Sequence, residues 1–520
     1  MAVNFTNDKI SPAIICLVFL AIACAIQLPL NLNHDAAWHF QTAFRSLAGN
    51  EIGVDVFDIN PPMSMWIFSL PASLVNLTGW TPKTVFKLFF IAVAMLVMLG
   101  SGRLFRRTGA SAGQVSFFTA VLGLTVFILP GYDFAQREQF TALFTLPYVI
   151  AAAARAKAIH IPLSAAIATG FLAAIGIGIK PYFLCMPVLL EVWLMLSRKN
   201  IRIIVRPETL TIWATLFAYL GAVHIFAPGY FHYVLPDALN NYSGFSAPLS
   251  VVLLRMAEGF MAYIVIIFLT TYIFKNVIND KVFQGFLVAA AGFFLAALLQ
   301  RKGWGYQLYP AIFYMLLASG FTLFRPHLTA RIALSETGIK LARIGLIAGM
   351  GFMIMTPSLQ LLSDGYSTRG TSARVAGLEA VISKQAALNP NVPPRVFAFI
   401  TSPRDIHPAV LNSGAEWAHN AGALVYLPAA VNAMSADPKP VAYSEIIQTA
   451  KQHDKVMIDR FAKAPPDIMF VHASPYKLGI TDPKFDYIDY YSEDVVFQQV
   501  FAQYTEQDPV MPYRVFVRSR

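Results

Sequence analysis

Long apolar runs separated by short charged loops occupy the first two thirds of the chain. An α-helix needs about 20 predominantly apolar residues to cross the hydrocarbon core of a bilayer. The pattern therefore predicts about eleven membrane-spanning helices, at positions 11–30, 84–102, 112–130, 139–154, 162–179, 183–197, 209–227, 251–274, 283–300, 307–324 and 343–361. A further apolar run at 62–78 begins after Pro61 and contains Pro71, so we expect an interfacial helix there.

The positions of the basic residues predict the orientation of these helices. If 62–78 does not span, alternate loops carry almost all of the Lys and Arg near the membrane, and the positive-inside rule makes their side cytoplasmic. These residues are Arg103, Arg106, Arg107, Arg155, Lys157, Arg198, Lys199, Arg202, Arg206, Lys275, Lys281, Arg325, Arg331, Lys340 and Arg343. The rule places the loop 31–83 and the segment after residue 362 on the outer face.

The first apolar run has two interpretations. The stretch MAVNFTNDKISPAIICLVFLAIACAIQLPL resembles a signal peptide, but its apolar run is long and its start carries one Lys against one Asp. We therefore interpret it as an uncleaved first span. The expected location is the inner (cytoplasmic) membrane of a bacterium, crossed many times, with the outer segments in the periplasm.

The chain changes character after residue 362, where charged and turn-forming residues become frequent and no further spanning run follows. Strand-like segments alternate there with helical periodicity, which is typical of an α/β domain. We predict strands at 395–400, 467–472 and 513–517 and helices at 444–464 and 492–504. The predicted fold class is a polytopic α-helical membrane domain, 1–362, which includes the outer loop 31–83, followed by an outer α/β domain, 363–520.

Composition agrees with the membrane assignment and excludes other classes. The 520 residues are 56% hydrophobic and 13% charged, against roughly 25% charged residues in soluble domains. The net charge of +10 comes from short loops, without a basic stripe with interleaved aromatic residues, so no nucleic-acid partner is expected. Cys16, Cys24 and Cys185 all lie in apolar runs, which leaves no disulfide framework for the outer domain and no metal-type cysteine spacing.

Polar side chains cluster in four outer loops that the predicted topology places at one membrane depth. Carboxylates there suit proton transfer, cations suit a phosphate, and aromatic rings suit a sugar or a lipid. Taken singly, each also has an ordinary explanation, such as a solvated helix end, an ion pair or a snorkelling lysine. The residues are His34, Asp35, His39, Asp55 and Asp58; Asp133, Arg137 and Glu138; Lys180 and Tyr182; and Arg301, Lys302, Trp304, Tyr306 and Gln307.

The order of motifs resembles that of the GT-C membrane glycosyltransferases. Asp35 follows the first span, Pro61-Pro62 opens the interfacial run, and the second span leads into a basic loop. The resemblance covers about residues 10–325 and is strongest to the protein O-mannosyltransferase and aminoarabinose transferase group. It implies that Asp35 is the catalytic or acceptor-activating carboxylate. The acidic residue after the third span corresponds to either Asp133 or Glu138.

One departure from this family concerns a metal. The mannosyltransferases resemble one another in an Asp-Glu pair at the first site, whereas Asp35 is followed by Ala36 here. A metal site built on paired carboxylates is therefore in doubt, and a divalent metal stays an open alternative with no certain cofactor. His34 and His39 are candidate replacement ligands, but isolated histidines near a membrane surface are more often structural.

The resemblance also implies the substrates. The donor would be a polyprenyl-phosphate sugar in the outer leaflet, and the acceptor a hydroxyl of a glycan, a lipid or a protein. Asp35 would act as base, while cations would bind the donor phosphate and other loop side chains would contact substrate. We favour a single displacement with inversion, since a double displacement needs a second carboxylate such as Asp58 or Glu138. The phosphate ligands would be Arg137, Lys180, Arg301 and Lys302, and the substrate contacts His34, His39, Tyr182, Trp304, Tyr306 and Gln307.

Two other functions are compatible with the same residues. A transporter or flippase for a lipid-linked or anionic solute would also need cations along its path. A non-catalytic assembly partner would keep the fold without the chemistry. Polar residues at the outer edge, away from the bilayer midplane, and an appended outer domain favour the enzyme.

Overall fold

The computed structural model describes residues 11–274, 276–323, 335–365 and 371–519. Lys275, Arg325 and Arg331, which the predicted topology uses, lie outside these ranges. The chain forms two compact units. The helical unit comprises Met1–Leu30, Lys87–Gly221 and Ala247–Leu362, and the sheet unit comprises Asn31–Phe86, Ala222–Ser246 and Ser363–Arg520.

Helices account for most of the described chain before residue 366. In chain order they are α1 (Pro12–Gln27), α2 (His34–Leu47), α3 (Met63–Thr78), α4 (Pro82–Arg107), α5 (Ala112–Phe127), α6 (Arg137–Ala156), α7 (Leu163–Gly178), α8 (Cys185–Arg198), α9 (Pro207–Phe226), α10 (Leu235–Asn240), α11 (Leu249–Ile273), α12 (Lys281–Leu299), α13 (Tyr309–Leu323) and α14 (Glu336–Gly365). Each predicted spanning run contains one of these helices.

Length and composition separate the apolar helices into two groups. Six described helices can cross a membrane by these two criteria: Pro82–Arg107, Pro181–Arg198, Pro207–Phe226, Leu249–Ile273, Lys281–Leu299 and Thr337–Asp364. Shorter apolar helices are Pro12–Gln27, Met63–Thr78, Ala112–Phe127 and Leu163–Gly178. The helix expected at 62–78 is confirmed as α3, while its interfacial position and the number of spans stay predictions.

Local contacts fix several helix ends. Ser111 and Gln114 form a reciprocal capping box at the start of α5, which satisfies two otherwise unpaired backbone donors. Gly79 ends α3 in the left-handed conformation, with φ of 68°, a conformation that glycine adopts without a Cβ penalty. Lys87 on α4 is buried and donates to the carbonyl oxygens of Gln27 and Leu30 at the end of α1. Lys87 thus binds the negative end of a helix dipole.

A buried ionic network joins α6, α8 and α9 in the helical unit. Arg206 donates from Nη1 and Nη2 to the two carboxylate oxygens of Glu191 at 2.5 and 2.7 Å. Tyr148 and Thr209 also donate to Glu191. Because the charges are buried, paired and hydrogen-bonded, removal of one partner would strand the other in a low-dielectric interior.

Arg206→Met should therefore destabilise the protein by about 3–5 kcal/mol, since it leaves the Glu191 carboxylate buried without its counter-ion. Thermal unfolding in detergent measures this loss. Arg202→Met is the matched control, because Arg202 is exposed in the same loop and surface substitutions stay within about 0.5 kcal/mol. Equal unfolding midpoints for the two variants would contradict the prediction.

The sheet unit contains the remaining elements. They are α15 (Thr371–Ala386), β1 (Arg395–Phe399), α16 (Ile406–Ser413), β2 (Glu416–Trp417), α17 (Leu427–Ser435), α18 (Tyr443–Lys463), β3 (Ile468–His472), α19 (Tyr487–Tyr491), α20 (Val495–Phe501), β4 (Tyr504–Val510) and β5 (Tyr513–Arg518). The strand order is β2-β1-β3-β5-β4. The first three of these strands are parallel, and β5 runs antiparallel to β3 and β4.

The predicted α/β domain is confirmed in outline and corrected in detail. The three predicted strands are β1, β3 and β5, and the helix predicted at 444–464 is α18. The helix predicted at 492–504 is wrong at its end, since α20 stops at Phe501 and β4 begins at Tyr504. The sequence YTEQDPV of β4 lacks alternating apolar residues because this strand is an exposed edge, where Pro and charges are tolerated.

Candidate functional site

Asp35 lies in the first turn of α2, at the start of the outer loop. The Asn33 side chain caps this helix by accepting the Asp35 backbone N–H at 2.8 Å. A carboxylate is favoured at this helix end because the helix dipole is positive there. The Asp35 side chain is 19% exposed, and its Oδ1 lies 3.7 Å from Nε2 of His34. The cap fixes the backbone at Asp35, while the carboxylate stays accessible to solvent. A proton acceptor needs such access to its substrate.

Asp58 is buried, and both of its oxygens accept hydrogen bonds. Oδ2 accepts the Trp38 indole N–H at 2.8 Å and lies 3.0 Å from Nδ1 of His39. Oδ1 accepts the backbone N–H and the side-chain amide of Asn60, at 2.9 and 2.7 Å. These bonds tie the loop before α3 to α2. His39 is buried as well, with its ring edge against Phe68.

A second cluster, in the helical unit, pairs a carboxylate with a cation. Glu138 in the first turn of α6 binds the Lys180 ammonium group through Oε1, and both side chains are buried. The ammonium also lies 5.5 Å from the centre of the Tyr306 ring and 6.0 Å from that of Phe183. A ring face attracts a cation electrostatically. The structure therefore brings together three of the predicted residues, Glu138, Lys180 and Tyr306.

The other predicted cations have different surroundings. Arg137 is buried next to Glu138, whereas Arg301 is exposed and has a positive φ of 54°. Lys302 lies in the loop after α12 and is buried. Burial disfavours its charged form and lowers the pKa of Lys302 to about 8. The charge of this lysine therefore depends on pH in the physiological range.

Some of the remaining predicted residues are exposed, and others form hydrogen bonds within the fold. Tyr182 is 45% exposed, and the rings of Trp304 and Tyr306 lie 5.9 Å apart. Asp133 accepts a hydrogen bond from the Gln136 amide in the turn before α6. Gln307 is buried, and its amide donates to Gln300 at 3.0 Å. Gln307 thus connects the end of α12 to the turn before α13.

The described side chains do not assemble a metal site. No group of three or more His, Cys, Asp or Glu residues suited to a metal ion occurs in the described ranges. Nδ1 of His39 lies 3.0 Å from Asp58, and Nε2 of His34 lies 3.7 Å from Asp35. Mg²⁺ can bind through one or two carboxylates together with substrate phosphates, so a divalent metal stays the open alternative that the sequence left.

The sequence did not indicate which side chains hold the outer loop 31–83 in place. Trp38, Asn60 and His407 carry no motif, and Gln41 contacts His407 across 366 positions. The structure groups His34, Asp35, His39 and Asp58 in the sheet unit, and Glu138, Lys180 and Tyr306 in the helical unit. Each cluster belongs to its own unit.

Comparison with known proteins gives a likeness in fold. No protein-family model and no curated protein matches the chain. The structure of apo ArnT from Cupriavidus metallidurans aligns over 96% of this chain and 97% of its own, at 14% identity and a TM-score of 0.58. The arabinofuranosyltransferase AftD from Mycobacteria aligns over 98% of this chain but 40% of its own, at 11% identity and a TM-score of 0.49. The likeness to ArnT confirms the predicted GT-C fold.

Proposed function

We propose that the chain is a membrane glycosyltransferase that moves a sugar from a polyprenyl-phosphate donor to an acceptor hydroxyl at the outer face of a bacterial inner membrane. The observation that carries this proposal is the state of Asp35. Its carboxylate is partly exposed at a capped helix start, where a base can reach a substrate hydroxyl. The GT-C fold, which the chain shares with ArnT, supports the reaction class.

The proposed reaction is a single displacement. The acceptor hydroxyl oxygen attacks the anomeric carbon, and its proton passes to the Asp35 carboxylate. The bond between that carbon and the phosphate oxygen breaks, and its electron pair stays on the phosphate. The leaving polyprenyl phosphate gains negative charge, which Lys180, Arg137, Arg301 and Lys302 would stabilise electrostatically.

The surroundings of the other carboxylates support inversion over a double displacement. A covalent intermediate requires a second carboxylate that is free to attack the sugar. Asp58 accepts hydrogen bonds on both oxygens, and Glu138 is bound to Lys180. A double displacement would have to break these bonds before either carboxylate could attack, whereas one base is sufficient for a single displacement.

Purified protein in detergent, supplied with a polyprenyl-phosphate sugar and a mixture of candidate acceptors, tests the proposal. An enzyme releases polyprenyl phosphate in proportion to the sugar transferred. A flippase, reconstituted in vesicles, moves the intact donor between leaflets without breaking the bond. Donor movement without bond cleavage would contradict the proposal, as would a donor that stays intact in every acceptor mixture.

Lys302 gives the proposal a dependence on pH. Its ammonium group is charged below a pKa of about 8 and neutral above it, while a phosphodiester keeps its negative charge throughout. The donor KM should therefore stay constant up to about pH 7 and rise as the pH passes 8. In Lys302→Arg the rise should disappear, because the guanidinium group stays charged. Parallel KM profiles for wild type and Lys302→Arg would exclude Lys302 from phosphate binding.

A further inference from the structure

The carboxyl ends of two parallel strands in the α/β domain meet a helix of the outer loop. Open α/β sheets bind ligands beside the carboxyl ends of their parallel strands. Here α16, which follows β1, packs on α2. Gly422, in the loop after β2, lies against Trp38 of α2. The edge that other α/β domains use for a ligand thus holds a helix of the same chain.

Trp38 is the central contact. Its side chain belongs to the hydrophobic cluster that includes the buried residues of β1 and β3, and its ring centre lies 4.8 Å from that of His407. A Cβ on Gly422 would lie 2.6 Å from Cδ2 of Trp38. This close approach needs a glycine. The Trp38 indole N–H also binds Asp58, so one side chain connects the domain to the carboxylate that orders the outer loop.

Polar contacts extend the docking along α2. The Gln41 amide donates to the His407 backbone oxygen at 2.9 Å, and Arg45 Nη1 donates to the His419 oxygen at 2.6 Å. Positions three or four residues apart share one helix face, and Trp38, Gln41 and Arg45 have this spacing. The domain therefore contacts one face of α2 over two turns. The contacts begin three residues after Asp35.

The domain side of this contact is buried. His407 is fully buried, and its Nε2 lies 2.7 Å from the Gly422 carbonyl oxygen. Nδ1 lies 3.3 Å from Gln41 Oε1, so both ring nitrogens face an oxygen. Burial lowers the pKa of His407 to about 4, which keeps the ring neutral at physiological pH. The charge of His407 therefore does not change across the pH range in which the protein would work.

We infer that the C-terminal α/β domain is a positioning domain. Its contacts fix the orientation of α2 and thereby the position of the Asp35 carboxylate. The inference rests on the proposed function, because it treats Asp35 as the base. A base must lie within hydrogen-bond reach of its proton, and a displacement of about 1 Å can lower the rate about 100-fold. Gly422 and Gln41 are positioning residues in this sense, since they act on Asp35 only through α2.

Gly422→Ala tests the inference with Gly377→Ala as a matched control. Gly377 lies in α15 on a different contact of the same domain, where an added Cβ would meet Val510 Cγ1 at 2.8 Å. Both variants add one methyl group against a side chain. Only in Gly422→Ala does that side chain, Trp38, belong to α2. We expect kcat to fall about 10- to 100-fold in Gly422→Ala, with the donor KM unchanged, and both constants to stay near wild type in Gly377→Ala.

Hydrogen exchange of the α2 amides provides a second readout that does not require activity. Exchange of residues 34–47 should accelerate in Gly422→Ala but not in Gly377→Ala. If wild type releases no polyprenyl phosphate, the proposed function fails, and exchange alone then decides whether the domain holds α2. Unchanged exchange and kcat in Gly422→Ala would overturn the inference, as would an equal loss in both variants.

Gln41→Met keeps the test decisive if Gly422→Ala does not fold. Methionine preserves the length of the side chain but removes the donor to the His407 oxygen. The same pattern is expected, namely a lower kcat, an unchanged donor KM and faster exchange in α2. A Gln41→Met protein with wild-type kcat and wild-type exchange would contradict the positioning role.

Discussion

Asp35→Asn should lower the rate of sugar transfer about 10²- to 10⁴-fold, because the substitution removes the group that accepts the acceptor proton. The amide keeps the size of the side chain. It also leaves the Asn33 cap of α2 in place, since that bond uses the Asp35 backbone N–H. The donor KM and the unfolding midpoint should therefore change little. Initial rates of polyprenyl phosphate release, measured against donor concentration, separate kcat from KM.

Glu51→Gln is the matched control for this variant. Glu51 is an exposed acid in the same outer loop, and its neutralisation removes one negative charge without touching α2. We expect wild-type kinetics from it. Near-normal turnover in Asp35→Asn would exclude Asp35 as the base. A comparable loss in Glu51→Gln would show instead that the charge of the loop, and not proton transfer, controls the rate.

The helices and the strands were predictable to different extents, for physical reasons. A spanning helix needs a long apolar run, so each predicted run contains a helix. Strands β1 and β3 were found because they are buried on both faces and are continuously apolar. The exposed edge strand β4 was missed, because its residues face water and carry no periodic signal. Sequence patterns report burial, so an element that is exposed along its length leaves little signal.

The sequence grouped some residues of the candidate site but did not predict how they pair. The predicted topology placed Glu138, Lys180 and Tyr306 at one level, and the structure does bring these three together. The direct bond between Glu138 and Lys180 was not predicted, because each residue alone resembles an ordinary helix-end charge. The contact between α2 and the C-terminal domain was beyond prediction too. Gly422 is needed because Trp38 lies against it, and a single sequence does not show such contacts.

The Glu138–Lys180 pair gives Glu138 two possible roles. Glu138 is either a carboxylate that takes part in the chemistry or the counter-ion that keeps Lys180 charged until a phosphate arrives. In Glu138→Gln the buried lysine loses its counter-ion, so burial disfavours its charged form and the phosphate loses a cation. The counter-ion role thus predicts a higher donor KM with kcat preserved, whereas a chemical role predicts a kcat loss of about 10²-fold or more.

The double variant Glu138→Gln/Lys180→Gln should raise the donor KM about 10- to 100-fold, because a hydrogen bond to a charged group contributes about 1.5–3 kcal/mol. Lys180→Gln alone would leave the Glu138 carboxylate buried without its cation, and a loss of stability would then obscure the loss of binding. The neutral amide pair avoids this problem, since neither side chain carries a buried charge. Lys199→Gln, at an exposed lysine, serves as the control. If the double variant binds donor as tightly as Lys199→Gln does, the donor phosphate does not bind at Lys180, and the leaving group must be stabilised by other cations.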